Sequence, residues 1–153
     1  MGLVQFIAGL SNRFSKRSSH RTEEENPAHA LGRLGEKLAA KHLQRSGYKV
    51  LYRNFRHRHG GEVDLVCRDR RSDELVFVEV KARRTRDFGA PAHAVDAEKR
   101  DLIARGAIAW LRLLDWPDIR YRFDIVEVIV PLQSQAELNI IENAFPLPAR
   151  YRV

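Results

Sequence analysis

A single cysteine, Cys67, leaves this chain no partner for an intramolecular disulfide. Placed among apolar strand-like residues, it reads as a buried thiol in a reducing compartment, and a cytoplasmic location is expected. Long hydrophobic runs are equally absent: no segment reaches the roughly 20 apolar residues that cross a bilayer, so no integral membrane segment is expected. Acidic residues are in the minority. The 20 Asp and Glu stand against 27 Lys and Arg, giving a formal charge of +7 and a sequence pI of 10.0. An acidic partner follows, nucleic acid or an anionic membrane surface, and charge alone does not choose between them. The 153 residues suffice for one domain around one core but not for two.

The first residues space Leu3, Phe6, Ile7, Leu10 and Phe14 along one face of a helix, with Arg13, Lys16 and Arg17 among and after them. No basic segment precedes this stretch and no small-residue cleavage site follows it, so it is not read as a secretory signal. A short amphipathic stretch without a second anchor binds lipid weakly, which favours an arm loosely attached to the domain over a membrane anchor. The polar run SKRSSHRTEEEN then leads to Pro27 as a linker. Residues 1–27 are accordingly read as a flexible basic N-terminal arm and 28–153 as the folded domain.

Within that domain a helix is predicted over 28–46, with Leu31, Leu34 and Leu38 on one stripe, Leu43 at its edge and Gly47 as C-cap. YKVLYRNF reads as a first strand, EVDLVCR and LVFVEVK as a second and third, and RYRFDIVEVIV and ELNII as two more. Between the third and fourth lies a long helix from about Val95 to Leu114, with Leu102, Ile103, Ile108, Trp110 and Leu111 as its apolar residues and Pro117 beyond its end. The order predicts an α/β fold: a mixed central β-sheet flanked by α-helices, in which an antiparallel hairpin is followed by a helical crossover to a parallel strand.

The second and third strands carry charge where a simple strand carries valine or leucine. Alternation puts Glu62 and Asp64 on one face, with Val63, Leu65 and Cys67 on the other, and Glu79 and Lys81 opposite Val76, Val78 and Val80 in the same way. A turn centred between Arg71 and Ser72 pairs Asp64 with Glu79, Glu62 with Lys81 and Arg68 with Leu75. Two like charges about 5 Å apart repel by roughly 3 kcal/mol at an effective dielectric near 20. A divalent cation such as Mg²⁺ or Mn²⁺, held by hard carboxylate oxygens, offsets that repulsion. The alternative is a solvated sheet face on which Glu62 pairs with Lys81 and Glu79 is exposed; Leu75 and Phe77, which share the face, weigh against it. A metal held by Asp64 and Glu79 beside the Lys81 ammonium is an arrangement suited to cleaving phosphodiesters, and the basic charge points to nucleic acid as the partner.

Gly61-Glu62-x-Asp64 followed by Phe77-Val78-Glu79-Val80-Lys81 resembles the PD-(D/E)xK nuclease superfamily. The fuller pattern is similar to the YraN-like family, whose members resemble Holliday-junction resolvases. It comprises Gly35-Glu36, Gly47-Tyr48, Asn54-Phe55, the hairpin, Phe88-Gly89, Lys99 and Arg122-Phe123-Asp124. The resemblance implies a restriction endonuclease-like fold and a metal-dependent nuclease acting on DNA, branched or otherwise structured. It implies Asp64 and Glu79 as metal ligands, Lys81 as catalytic lysine and Glu36 as the helix-borne acid that completes the site. Glu62 stands where the motif has proline, as an extra ligand or as the partner of Lys81. On a helical wheel Glu36 lies near Leu43, from where it either faces the sheet or remains a surface glutamate.

The segment Arg53 to His59, RNFRHRH, offers Asn54 and Arg56 as nucleic-acid contacts. A His57-x-His59 metal site is disfavoured because no third soft ligand lies nearby in sequence. Arg83 and Arg84, within the track running from Ala82 to Arg86, either hold the strand being cut or lie in a solvated loop. Lys99 is implied as a phosphate contact by the resemblance, with an exposed helix charge as the alternative. Arg122 and Asp124 either brace the site or pair with each other. Resolvase-like action on two symmetry-related strands implies a C₂ homodimer, with Trp110, Leu113, Leu114 and Trp116 as its apolar surface unless they are internal. Two other functions stand beside the nuclease: a non-catalytic nucleic-acid-binding module, and a protein-interaction adaptor using the same sheet face.

Overall fold

Asn26 opens the first helix: its side chain accepts the Ala28 N–H at 2.9 Å, and Pro27, which has no N–H to leave unpaired, takes the first helical position. The computed structural model of the protein describes residues 26–86 and 95–152. The amphipathic arm and polar linker up to residue 25, and the Phe88-Gly89 pair, lie outside the described residues. The elements are α1 (Pro27–Arg45), β1 (Tyr48–Arg56), β2 (Glu62–Asp69), β3 (Glu74–Arg83), α2 (Ala97–Leu113), β4 (Tyr121–Ile129), β5 (Glu137–Ile141) and a short 3₁₀ turn, Ala149–Tyr151. Gly47, at φ 91°, turns the chain from α1 into β1. Among the described residues no helix is long and apolar enough to cross a membrane.

The five strands form one sheet in the order β1-β2-β3-β4-β5. All neighbours are antiparallel except β3 and β4, which run parallel across the α2 crossover. The mixed α/β sheet expected from the sequence is therefore present. Each face carries its own core. On one, Ala39, Ala40 and Leu43 of α1 meet Leu65, Cys67, Val76, Val78 and Val126. On the other, Ile103, Ala107 and Trp110 of α2 meet Phe55, Val63, Phe77 and Phe123.

The buried face of α1 differs from the leucine stripe. Gly35, Ala39, Ala40 and Leu43 are its buried residues, while Leu34 is 39% exposed and Leu31 and Leu38 only flank the core. The cause is close approach: a Cβ on Gly35 would lie 2.5 Å from the Ala82 Cβ, so the helix rests on β3 through its small residues. Trp110 is 1% exposed, with its ring 5.2 Å from both Tyr52 and Phe55. It belongs to the core and not to a dimer surface; at that end of α2 only Leu113 and Trp116 stay exposed.

A second close approach sets α2 against the β1–β2 turn. A Cβ on Gly106 would meet the backbone N of Glu62 at 2.9 Å, and one on Gly61 would meet the backbone N of Gly106 at 2.6 Å. Because backbone, not a flexible side chain, stands in the way, Gly106→Ala should destabilise the fold by about 1–3 kcal/mol in urea titrations. Gly32→Ala, where nothing lies within 4 Å, should instead gain up to about 1 kcal/mol from helix propensity.

Where β3 and β4 begin, a buried polar network closes the α1 side. Arg122 donates to Asp69 at 2.9 Å, to Glu74 at 2.6 Å, to Asp124 at 2.9 Å and to the Tyr48 hydroxyl at 3.0 Å. Arg71 adds bonds to Asp69 and Glu142. Arg122 thus pairs with Asp124 and also braces the turn end of the charged hairpin through Asp69 and Glu74, at the far end of the strands from Asp64 and Glu79. Burial opposes the charge on Asp69, yet the bonds from Arg71 and Arg122 prevail and hold its carboxyl well below the ordinary range. Glu74, through Ser72 and Arg122, and Glu142, through Arg71, are lowered as well. Depressed carboxyls bind protons more tightly when unfolded, so their stabilisation is complete above the usual carboxylate range near pH 4 and drains away as pH falls below it. Arg122→Met strands Asp69 and Asp124 as buried acids and should cost about 3–5 kcal/mol of unfolding free energy at pH 7, with the loss shrinking on acidification.

Candidate functional site

The β2–β3 register pairs Arg68 with Leu75 and Leu65 with Val78, the offset that sets Asp64 opposite Glu79. Regular pairing stops at Leu65 and Val78, and the Asp64 carboxylate takes over, accepting the Val80 N–H at 2.8 Å. Across β1, Asn54 lies between the pairs Arg53–Leu65 and Phe55–Val63 and holds a left-handed φ of 53°. The alternation of side chains breaks at this level. Val63 packs on the α2 side, while Leu65 and Cys67 face α1, contrary to the expectation that all three share a face. The facing stretch of β1 is irregular at the same level, since Asn54 is not extended.

Glu79 projects from β3 beside Leu75 and Phe77 and is 3% exposed. Burial first, and Asp64 second, push its carboxyl up to about 8 against the pull of Lys99 and Lys81. Its Oε1 lies 3.3 Å from Lys81 Nζ and 3.5 Å from Lys99 Nζ, whereas the buried Oε2 has no hydrogen-bond partner. From α1, Glu36 reaches the same region. Burial and then Asp64 raise its carboxyl, while a hydrogen bond with Asn54 and the charge of Arg56 oppose the rise. Asp64 therefore stands between an acid from β3 and an acid from α1.

Glu62 is engaged differently. It accepts Arg56 at 2.6 Å and pairs with Lys99, not with Lys81. The hydrogen bond from Lys99 comes first among the causes that hold its carboxyl low, outweighing burial. Lys99 arrives from the first turn of α2, whose N-cap Asp96 accepts the Lys99 N–H at 2.8 Å. Burial pulls the Lys99 ammonium down, but Glu62, Glu79 and Asp64 overcome it and raise its pKa.

Among the described residues no group of three or more His, Cys, Asp or Glu is gathered closely enough to hold a metal ion as they stand. The donor chemistry nonetheless suits a hard divalent cation at the Asp64 and Glu79 pair: adjacent carboxylates, one with an orphaned buried oxygen, and Glu36 flanking them. Two ammonium groups, those of Lys81 and Lys99, stand beside Glu79 and add positive charge there.

Residues 35–128, which include all of these groups, match the model of Uncharacterised protein family UPF0102. The chain belongs to the UPF0102 family. It is 43% identical over 118 residues to a UPF0102 protein of Trichlorobacter lovleyi, covering 77% of this chain and 91% of that one. A UPF0102 protein of Geobacter sulfurreducens is 44% identical over 117 residues, with 76% and 89% covered. One of Solibacter usitatus is 43% identical over 142 residues, with 91% and 100% covered.

The remaining basic residues of this UPF0102 protein divide by what they touch. Arg56 is tied to Glu62, and Asn54 to Glu36, so both belong to the rim of the acidic centre. Arg84 donates to the Val130 carbonyl at 3.2 Å and Arg86 pairs with Glu137, which fastens the end of β3 to its neighbours. The Nη1 of Arg83 is buried without a hydrogen-bond partner. The rings of His57 and His59 lie 5.4 Å apart, and no third ligand joins them among the described residues. Lys99 is the residue whose setting sequence reading missed. Its signal was the Asp96-x-x-Lys99 spacing, an N-cap that fixes the first helical turn and with it the direction of Lys99.

Proposed function

We propose that this UPF0102 protein is a Mg²⁺- or Mn²⁺-dependent nuclease that hydrolyses phosphodiester bonds of DNA, branched or otherwise structured. One observation carries the reading: Glu79, buried with an unpartnered oxygen, beside Asp64 and 3.3 Å from the Lys81 ammonium. No structural need explains two adjacent acids in a strand interior, one of them buried with an oxygen left unpaired. The mixed sheet covered on both faces by helices, with the acids on its central strands, supports a restriction endonuclease-like fold.

Asp64 and Glu79 would hold the metal, with Glu36 as the further acid and Glu62 kept aside by Arg56 and Lys99. When bound, such an ion polarises a phosphoryl oxygen and lowers the pKa of water. Lys81 orients the attacking water and stabilises the charge that develops on phosphorus. Lys99 draws the phosphate toward the acids and keeps Glu62 ionised. The buried Cys67 thiol, pushed up to about 12 by burial and Asp124, suits a reducing cytoplasmic location. A homodimer would place two such sites on one branched substrate, with Leu113 and Trp116 as the exposed apolar residues of α2 and its end.

A second reading, a nucleic-acid-binding module without turnover, draws support from the Lys99 ammonium lying between Glu62 and Glu79, where it already neutralises the acids. Cleavage assays on duplex, flap, single-stranded and four-way DNA, each with Mg²⁺, Mn²⁺ or chelator, separate the two. Metal-dependent products support the nuclease. Salt-sensitive binding with no product on any substrate supports the binding module, and the absence of salt-sensitive binding overturns both.

A further inference from the structure

The turn between β1 and β2 builds a second feature, apart from the acids. His57 N–H donates to the Gly61 carbonyl and Gly60 N–H to the His57 carbonyl, both at 3.0 Å, which folds residues 57–61 tightly. The Gly61–Gly106 backbone contact then seats this turn on α2 with no side chain between them. A cleft of about 360 Å³ results, lined by His57, His59, Gly60, Arg105, Arg112 and Tyr151 among others, and no lining residue is acidic. Asp101 lies outside it and holds Arg105 by its Nε at 3.2 Å, while the Arg105 Nη1 lies against Gly60. The Nδ1 of His57 accepts the His59 N–H at 3.4 Å, so the neutral ring carries its proton on Nε2 as a further donor.

Arg105 and Arg112 are seven residues apart on α2. They share one side of the helix about 10 Å apart, a length that spans about three nucleotide steps of one strand. The turn ends at Gly61, immediately before Glu62, and Lys99 at the start of the same helix touches Glu62. The cleft and the acidic centre are thus consecutive along both α2 and the β1–β2 turn. Donor-only guanidiniums, imidazole donors and an aromatic wall with no lining carboxylate suit a phosphodiester backbone with sugar or base against the ring.

We infer that this cleft is a phosphate subsite that holds about three nucleotides of a nucleic-acid strand leading away from the acidic centre. The inference rests on the nuclease reading for the identity of its ligand, and it does not require turnover. It is tested with the full chain by fluorescence anisotropy on labelled single-stranded and duplex DNA over a series of KCl concentrations. Arg112→Gln and His59→Gln change exposed side chains, and thermal melting checks that both variants fold. Arg112→Gln should weaken binding about 5–10-fold at low salt and lower the slope of log affinity against log salt by about one. His59→Gln should weaken it less, and Arg45→Gln, an exposed charge at the end of α1, should leave both quantities unchanged. Binding by the wild type with equal small losses for Arg112→Gln and Arg45→Gln overturns the subsite alone, since only net charge then matters. No binding by the wild type at any salt overturns the subsite and the nucleic-acid reading together. Normal binding losses in a protein that cuts nothing leave the subsite standing.

Discussion

Glu79→Gln should bind Mn²⁺ at least about 100-fold more weakly and yet unfold at a higher temperature than the wild type when no metal is present. The two effects share one cause. Burial and Asp64 hold the Glu79 carboxyl up at about 8, so at neutral pH the folded chain retains a proton that the unfolded chain has released. Folding then takes up that proton, and stability falls as pH rises from the usual carboxylate range to about 8. Glutamine has the shape of the protonated acid without this cost. Its advantage should be absent near pH 4 and grow to about 2 kcal/mol by pH 8, roughly 4–8 °C for a chain of this size. Asp64→Asn should also lose the metal while keeping the fold, because an amide oxygen can still accept the Val80 N–H. Calorimetric titration with Mn²⁺ and melting curves across pH read both quantities; unchanged affinity in both variants removes the metal site.

Lys81→Ala should lower turnover by about 10²–10³-fold while changing DNA affinity less than about threefold. The Lys81 side chain is 27% exposed and its ammonium lies 3.3 Å from Glu79, so in the resting protein it is held toward that acid and not toward solvent. One phosphate contact fewer weakens binding modestly, but the transition state loses a cation placed where charge develops. Single-turnover rates measured beside binding constants make the comparison. Equal losses in rate and affinity would make Lys81 a general contact to DNA with no special part in the chemistry.

The hairpin register was legible because a polar turn and an apolar alternation fix the offset locally, and Arg68 meets Leu75 as the pattern requires. Its break was not legible. The left-handed residue beside it, Asn54, lies in a different strand, and nothing in EVDLVCR announces that Val63 and Leu65 point apart. The leucine stripe of α1 misled for a related reason: hydrophobicity ranks Leu34 above Gly35, whereas close approach to Ala82 selects the residue with no side chain. Glu62 was paired with Lys81 by register alone. In three dimensions Lys99 reaches it from a helix 37 residues away, a contact that no strand pattern contains. Arg122 gathers oxygen partners from β1, β2, β3 and the turn between the last two as well as from β4, so the network takes shape only once the sheet is assembled.

The irregular course of β1 reaches beyond the acids it frames. Among the described residues β1 has a neighbour only on its β2 side, so its other edge offers backbone groups to any passing strand, the usual template for aggregation. Asn54 interrupts that template with its left-handed backbone, and the register shift between Val50 and Tyr52 interrupts it again four residues earlier. Lys49, Arg53 and Arg56 line the same strand with like charge, which repels a second copy approaching in either direction. The irregular course of β1 beside Val63 and Leu65 therefore also blunts the open margin of the sheet, and straightening it would make the protein stickier as well as reshape the ground on which Asp64 sits.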